Sequence, residues 1–291
     1  MSPPLAISYL GPLLIAALFF LLLLLEALSP LRRRKRPQAP RLLLNLSLSA
    51  TVFAVGGLAV KPVALGGAAW TGAQIFGLLH FLPLPFWAQF ILGFLIMDLT
   101  FYYWHRLNHT RALLWRFHIV HHVDPDLDVS TSFRFHPVEI LYSTLFRVLQ
   151  VGLAGISPLI YVTYELAFQG ATLFHHSNVR IPLSWERRVN KVLVTPRMHG
   201  VHHSVVGSET NSNYAVIFSW WDRLHRSLRL NVKQADLIIG VPGYLLPADN
   251  RFWPLLKIPF LRQRPYWRWP SGKAVTRPAV PGAAEPRIML E

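Results

Sequence analysis

Long apolar stretches alternate with short polar ones along this chain, and the runs are too long for the amphipathic helices of a soluble domain. Residues 5–28 are apolar up to Glu26 at their far end. That exceeds the roughly 20 residues needed to cross a bilayer and predicts a first membrane helix. No charge precedes the run and arginines follow it, the reverse of a cleavable leader, so it is expected to remain as an anchor. Arg32, Arg33, Arg34, Lys35, Arg36 and Arg41 then mark a cytoplasmic loop. A second span over about 42–65 runs outward, with Lys61 snorkelling near its outer end. The following stretch, about 66–84, has no Lys or Arg and reads as an exterior loop. A third span, about 85–104, comes back and ends in Tyr102, Tyr103 and Trp104, an interfacial aromatic belt.

Residues 138–174 form a further apolar region broken by Gly152, Gly155 and Pro158, which predicts a helical hairpin. Arg147 and Glu165 fall inside its limbs. Charges at that depth face protein or water, so the limbs are expected to pack against the other helices. From Arg180 the chain turns polar and basic, as a cytoplasmic cap would. From about Pro265 it is rich in Pro, Arg and Ala and predicts a poorly ordered tail. The expected fold is an all-α membrane protein, a transmembrane helical bundle under a cytoplasmic helical cap. It divides into an anchor with its basic loop (1–41), a membrane catalytic unit (42–245) and a basic, Pro-rich, partly disordered tail (246–291).

Composition narrows the chemistry. The 52% hydrophobic content is high for a soluble protein. The absence of cysteine excludes disulfides, thiolate metal sites, iron–sulfur clusters and thiol nucleophiles, so any metal must be held by nitrogen or oxygen. The net charge of +15 sits beside apolar spans and in the last third. With no nucleic-acid-binding motif, it fits membrane lipid headgroups rather than nucleic acid.

Histidine is the abundant candidate ligand. His105 and His109 stand in HRLNH, His118, His121 and His122 in HIVHH, and His199, His202 and His203 in HGVHH. Residues three and four apart share a helix face, so each set presents its rings in one direction. A single zinc would leave most of these rings without a task, whereas two metals with open positions would use them. Sets that share one site lie on one side of the membrane, so the chain between His122 and His199 must cross an even number of times, as two spans or as a re-entrant pair. His80, alone in an apolar segment, reads as a packed core residue.

Supporting groups follow from the same reasoning. Asp98 lies seven residues before His105 on the same helix face, and accepting a hydrogen bond from a ligand imidazole would orient that ring; a helix-packing hydrogen bond elsewhere is the alternative. Asp124, Asp126 and Asp222 are similar candidates and equally fit turns or caps. His136 is placed either behind the ligands or in a substrate channel.

The segments DLTFYYWHRLNH, WRFHIVHHVD, FRFHPVE, LFHHSNVRIP, TPRMHGVHHS and NYAVIFSWWDRLHRS resemble the fatty acid hydroxylase and sterol desaturase superfamily of integral-membrane di-iron oxygenases, over about 94–244. The resemblance implies that the eight histidines of the three sets bind two iron ions, with a further ligand from His175 or His176. It implies an O2-dependent hydroxylation or desaturation of a fatty-acyl, sterol or isoprenoid-like lipid drawn from the bilayer. Without a haem, flavin or Rossmann motif, electrons are expected from a separate ferredoxin or reductase. The metal site is expected on the cytoplasmic face of a bacterial inner membrane. One departure is local: many relatives carry an aromatic, a glycine and a threonine after WDRL, where this chain has His225, Arg226 and Ser227. Two competing readings are weaker. A zinc-dependent membrane hydrolase lacks its H-E-x-x-H, and a histidine-lined metal transporter would carry its histidines along the spans rather than at their ends.

Overall fold

The computed structural model describes residues 3–277. Its principal helices are α1 (Pro3–Leu28), α2 (Gln38–Val55), α3 (Lys61–Gln74), α4 (Phe86–Thr110), α5 (Ala112–His122), α6 (Pro137–Ala154) and α7 (Pro158–His176). Shorter helices α8 (Leu183–Val189), α9 (Pro196–His202), α10 (Gly207–Thr210), α11 (Trp220–Leu224) and α12 (Phe252–Lys257) build the cap. No β-strand element occurs among the described residues.

Three helical stretches are long and apolar enough to cross a membrane: Leu10–Leu28, Gln38–Trp70 and Phe86–Thr110. The second is longer than the sequence pattern suggests. Helix continues through a π turn at Gly56–Val60 into α3, so residues 66–74, expected in an exterior loop, are helical. Pro62 has no N–H for the carbonyl one turn back, and the π turn ahead of it absorbs the missing bond.

The predicted hairpin is α6 and α7. Gly155 closes α6 in the left-handed region at φ 70°, and Pro158 opens α7. A side chain at Gly155 would come within 2.9 Å of the His80 ring and 3.0 Å of the Phe76 carbonyl, so only glycine fits both the turn and its neighbours. α7 packs along α1, and α6 against α3 and α4. The two limb charges meet each other, Arg147 against Glu165 at 2.8 Å, with the guanidinium over the Phe101, Tyr164 and Phe168 rings. Pairing within the bundle is what allows charge at this depth.

Two expectations fail in the polar regions. Arg41 does not face lipid headgroups. It is buried, and its guanidinium binds Asp124 at 2.7 and 3.0 Å and also Asp128, fastening the start of α2 to the loop after α5. The segment from Pro265 is also ordered as far as Arg277. Tyr266 and Trp267 pack on Trp115, Trp267 lies flat on Gly207 where a Cβ would stand 2.9 Å away, and Arg277 grips Glu209 at 2.6 and 2.8 Å. Residues 278–291 of the expected tail lie outside the described residues.

Candidate metal centre

Four helix ends converge under the cap. The last two turns of α4 bring His105 and His109, α5 brings His118, His121 and His122, α7 ends on His175 and His176, and α9 carries His199 and His202, with His203 just beyond. All ten are buried. Packing re-sorts the sequence sets into two groups. His105, His109, His118, His122 and His202 form one, and His121, His176, His199 and His203 the other, each with its donor atoms within 4.8 Å of one another. The groups are adjacent, since the His122 and His203 rings stack at 4.3 Å. His176 is thus drawn in and His175 is not. The His175 ring lies 4.1 Å from that of His199, but its Nδ1 donates to the Val216 carbonyl at 3.2 Å and it belongs to neither group.

Backbone carbonyls set the tautomers. His105 Nδ1 donates to Tyr214 O at 2.7 Å, His202 Nδ1 to Ser212 O at 2.7 Å, His121 Nδ1 to Arg134 O at 3.2 Å and His176 Nδ1 to Thr172 O at 2.8 Å. A carbonyl can only accept, so each Nδ1 bears the proton and each Nε2 turns a lone pair inward. His118 Nδ1 donates instead to a carboxylate, Glu139 Oε1, at 2.7 Å.

The inward nitrogens crowd. His121 Nε2 stands 3.0 Å from His176 Nε2, and His176 Nε2 stands 2.9 Å from His199 Nε2. Between His121 and His176 both atoms are lone pairs, which repel at this distance unless a cation lies between them. The Nε2 atoms of His118, His122 and His202 are buried with no protein partner. Burial first, and then neighbouring histidines, push the His121, His122, His199 and His203 imidazoles well below the ordinary value of 6.5. Burial and His105 do the same to His202. These rings are therefore neutral at pH 7 with nitrogens free to bind metal, and an all-imidazole donor set suits a first-row transition ion.

One stretch, Ser212 to Val216, supplies alternate carbonyls to three histidines, those of Ser212, Tyr214 and Val216. Two carboxylates hold this rail. Asp222 accepts from the Tyr214 and Ala215 amides at 2.9 Å each, and Asp98 accepts from the Phe218 amide at 3.2 Å and the Trp221 indole at 2.7 Å. The expectation that Asp98 receives a ligand imidazole is thereby corrected. Seven residues of helix raise it about 10 Å from His105, on the right face but out of reach. It acts on the site through the rail.

His136 is not near the ligands either. It caps α6, its Nδ1 accepting from the Val138 amide at 3.1 Å while Nε2 donates to Leu256 O at 3.2 Å. Asp124 pairs with Arg41, and Asp126 accepts from the Lys35 and Arg36 amides at 2.8 and 2.9 Å. Glu139 was overlooked by sequence reasoning, although a lone acid in the first turn of an otherwise apolar helix is a signal in itself. The unusual HRS segment keeps its turn: Arg226 occupies the left-handed region at φ 57°. Ser227 donates to Asp222 at 2.6 Å, and His225 stacks on Tyr102 at 4.7 Å.

Comparison with known proteins agrees with this geometry. The profile of the family "Fatty acid hydroxylase" matches residues 90–227. The chain is 32% identical over 189 residues to ornithine lipid hydroxylase OlsE of Rhizobium tropici, covering 63% of this chain and 54% of that protein. It is 30% identical over 138 residues to human cholesterol 25-hydroxylase, covering 46% and 49%. It is 29% identical over 199 residues to alkylglycerol monooxygenase of Danio rerio, covering 65% and 41%. The matches thus span about half the length of these relatives. No solved structure matches the chain.

Proposed function

We propose that this integral membrane protein, whose residues 90–227 match the profile of the fatty acid hydroxylase family, is an O2-dependent lipid hydroxylase with a two-iron centre. The observation that supports it most is the pair of adjacent imidazole groups with inward lone pairs. In this reading His105, His109, His118, His122 and His202 hold one iron, and His121, His176, His199 and His203 the other. When bound and reduced, the metals supply the O2 activation that converts a C–H bond to an alcohol. The protein's part is placement. The carbonyl rail and Glu139 fix ring orientation, and the buried setting of all nine rings keeps bulk water from the reacting atoms.

The relatives' names speak of an ornithine lipid, cholesterol and an alkylglycerol, which share an apolar chain or ring system bearing a polar head. We take the substrate to be such a lipid, entering from the bilayer, with hydroxylation as the outcome and a separate ferredoxin or reductase as electron source. The basic loop at Arg32–Arg36 supports a cytoplasmic position for the centre, and the Rhizobium relative supports a bacterial inner membrane. Residues 42–245 would form the catalytic unit, with the N-terminal helix as anchor.

The test combines metal analysis with lipidomics. Purified protein should carry two irons per chain, and cells expressing it should accumulate a lipid heavier by one oxygen only in the presence of O2. His121→Ala should abolish that product while leaving folded protein. Zinc alone with undiminished anaerobic activity, or near-wild-type product from His121→Ala, would sink the proposal.

A further inference from the structure

The segment 251–262 has no part in the metal centre, yet it is firmly built into the cap. Arg116 donates to Pro259 O at 2.8 Å and to Leu261 O at 3.0 Å, and His136 donates to Leu256 O, so α12 and the turn Ile258–Phe260 after it are fixed to α5 and to the head of α6. Its inner face, Leu255 and Ile258, is buried with Leu48 of α2, and Leu256 and Leu44 join the same cluster. Leu44 and Leu48 lie six and ten residues into a span that begins at Gln38, about 9–15 Å along the helix axis. The same turns of α2 carry Arg41 and Asn45, both bonded to Asp124, so an element packed beside them lies at the polar end of the span, toward the headgroups.

The outer face has the matching chemistry. Trp253, Phe260 and Leu261 are 68%, 65% and 57% exposed, an unusual concentration of large apolar side chains on a short ordered segment. Exposed Arg251, Lys257 and Arg262 flank them, and none of the three is in an ion pair among the described residues. Exposed leucines also line α6, whose capping His136 is bonded to α12: Leu141, Leu145, Leu149 and Leu153 stand four residues apart.

We infer that residues 251–262 are a membrane-interface element, with Trp253, Phe260 and Leu261 inserted among the acyl chains and Arg251, Lys257 and Arg262 bound to anionic phospholipid headgroups. The cap thereby leans on the leaflet at a point well removed in sequence from the spans. Tryptophan is favoured at this depth because its ring is apolar and its indole N–H is polar, and basic side chains beside it find the phosphates they lack as partners in the protein.

The natural chain has no cysteine, so single cysteines can be labelled without background. Spin labels at Trp253→Cys and Leu261→Cys are compared, in vesicles of phosphatidylcholine with phosphatidylglycerol, with Phe20→Cys in α1 as a bilayer reference and Asn211→Cys on the cap as an aqueous one. Labels at 253 and 261 should be open to O2 and shielded from a water-soluble nickel complex, as at 20. Nickel accessibility equal to that at 211 would overturn the inference, and so would shielding from both reagents, the mark of a second protein copy over the patch. The combined Arg251→Glu, Lys257→Glu and Arg262→Glu change should raise nickel access at 253 several-fold in the same vesicles. Unchanged access would overturn the headgroup assignment.

Discussion

Replacing Glu139 probes the only carboxylate that touches a histidine of the centre among the described residues. The bond from His118 Nδ1 to Glu139 Oε1 is 2.7 Å long and both groups are buried. A hydrogen bond to a charged acceptor is about twice as strong as a neutral one, and loss of such a partner behind a metal-binding histidine costs about 10–100-fold in affinity, or about 1.4–2.8 kcal/mol. Glu139→Gln keeps an acceptor oxygen and should fall near the lower end. Glu139→Leu leaves a buried N–H with no acceptor and should fall near the upper end. Since His118 belongs to the five-histidine group alone, the loss should strike one of two metals. On the two-iron proposal, protein loaded anaerobically with ferrous ion and titrated with a chelator should release metal in two separate steps, and only one step should move to lower chelator concentration in the variants. Thermal unfolding of the metal-free proteins separates this from a folding defect. If neither step moves in Glu139→Leu, the carboxylate does not strengthen a ligand and the assignment of His118 fails with it.

Three further outcomes follow from the packing. The buried His121, His122, His199, His202 and His203 have folded pKa values well below 6.5, so below that pH the unfolded chain binds more protons than the folded one; stability of the metal-free protein should be full above it and fall on acidification by up to about 1.4 kcal/mol per pH unit per group, and a flat unfolding midpoint across that window would contradict the burial. Arg41→Met leaves the fully buried Asp124 carboxylate with only the more distant Arg134, at 3.8 Å, as a cationic partner and should destabilise by up to about 3–5 kcal/mol, read as a lowered thermal midpoint that Asp124→Asn partly restores in the double variant. Arg226→Gly relieves a left-handed backbone at φ 57° and should stabilise by about 1 kcal/mol with product formation unchanged; a lowered midpoint would assign the arginine side chain a contact of its own.

The spans and the hairpin were legible because hydrophobicity and the Gly155–Pro158 break are local properties, and the eight clustered histidines because helix periodicity is local too. What could not be read depended on partners distant in the chain. Whether His175 or His176 joins the centre is a matter of helix rotation: the His176 ring is set by Thr172 one turn back, whereas His175 turns toward Val216. Asp98 misled because face was right and height was not. Order in residues 265–277 comes from Trp115, Gly207 and Glu209, and composition alone made the segment look loose. Glu139 escaped because nothing in its neighbourhood says which ring it will meet.

The rail formed by the Ser212, Tyr214 and Val216 carbonyls changes what kinds of inherited variation this protein can survive. Every residue type except for its side chain offers the same C=O, so exchanges at 212, 214 and 216 leave the acceptors of His202, His105 and His175 in place wherever the new side chain packs. Gain or loss of a single residue between Asn211 and Asp222 would instead shift the alternation by one and offer amides where carbonyls are required. Among homologous sequences this stretch should therefore drift in letters while keeping its length, a signature opposite to that of an ordinary surface loop.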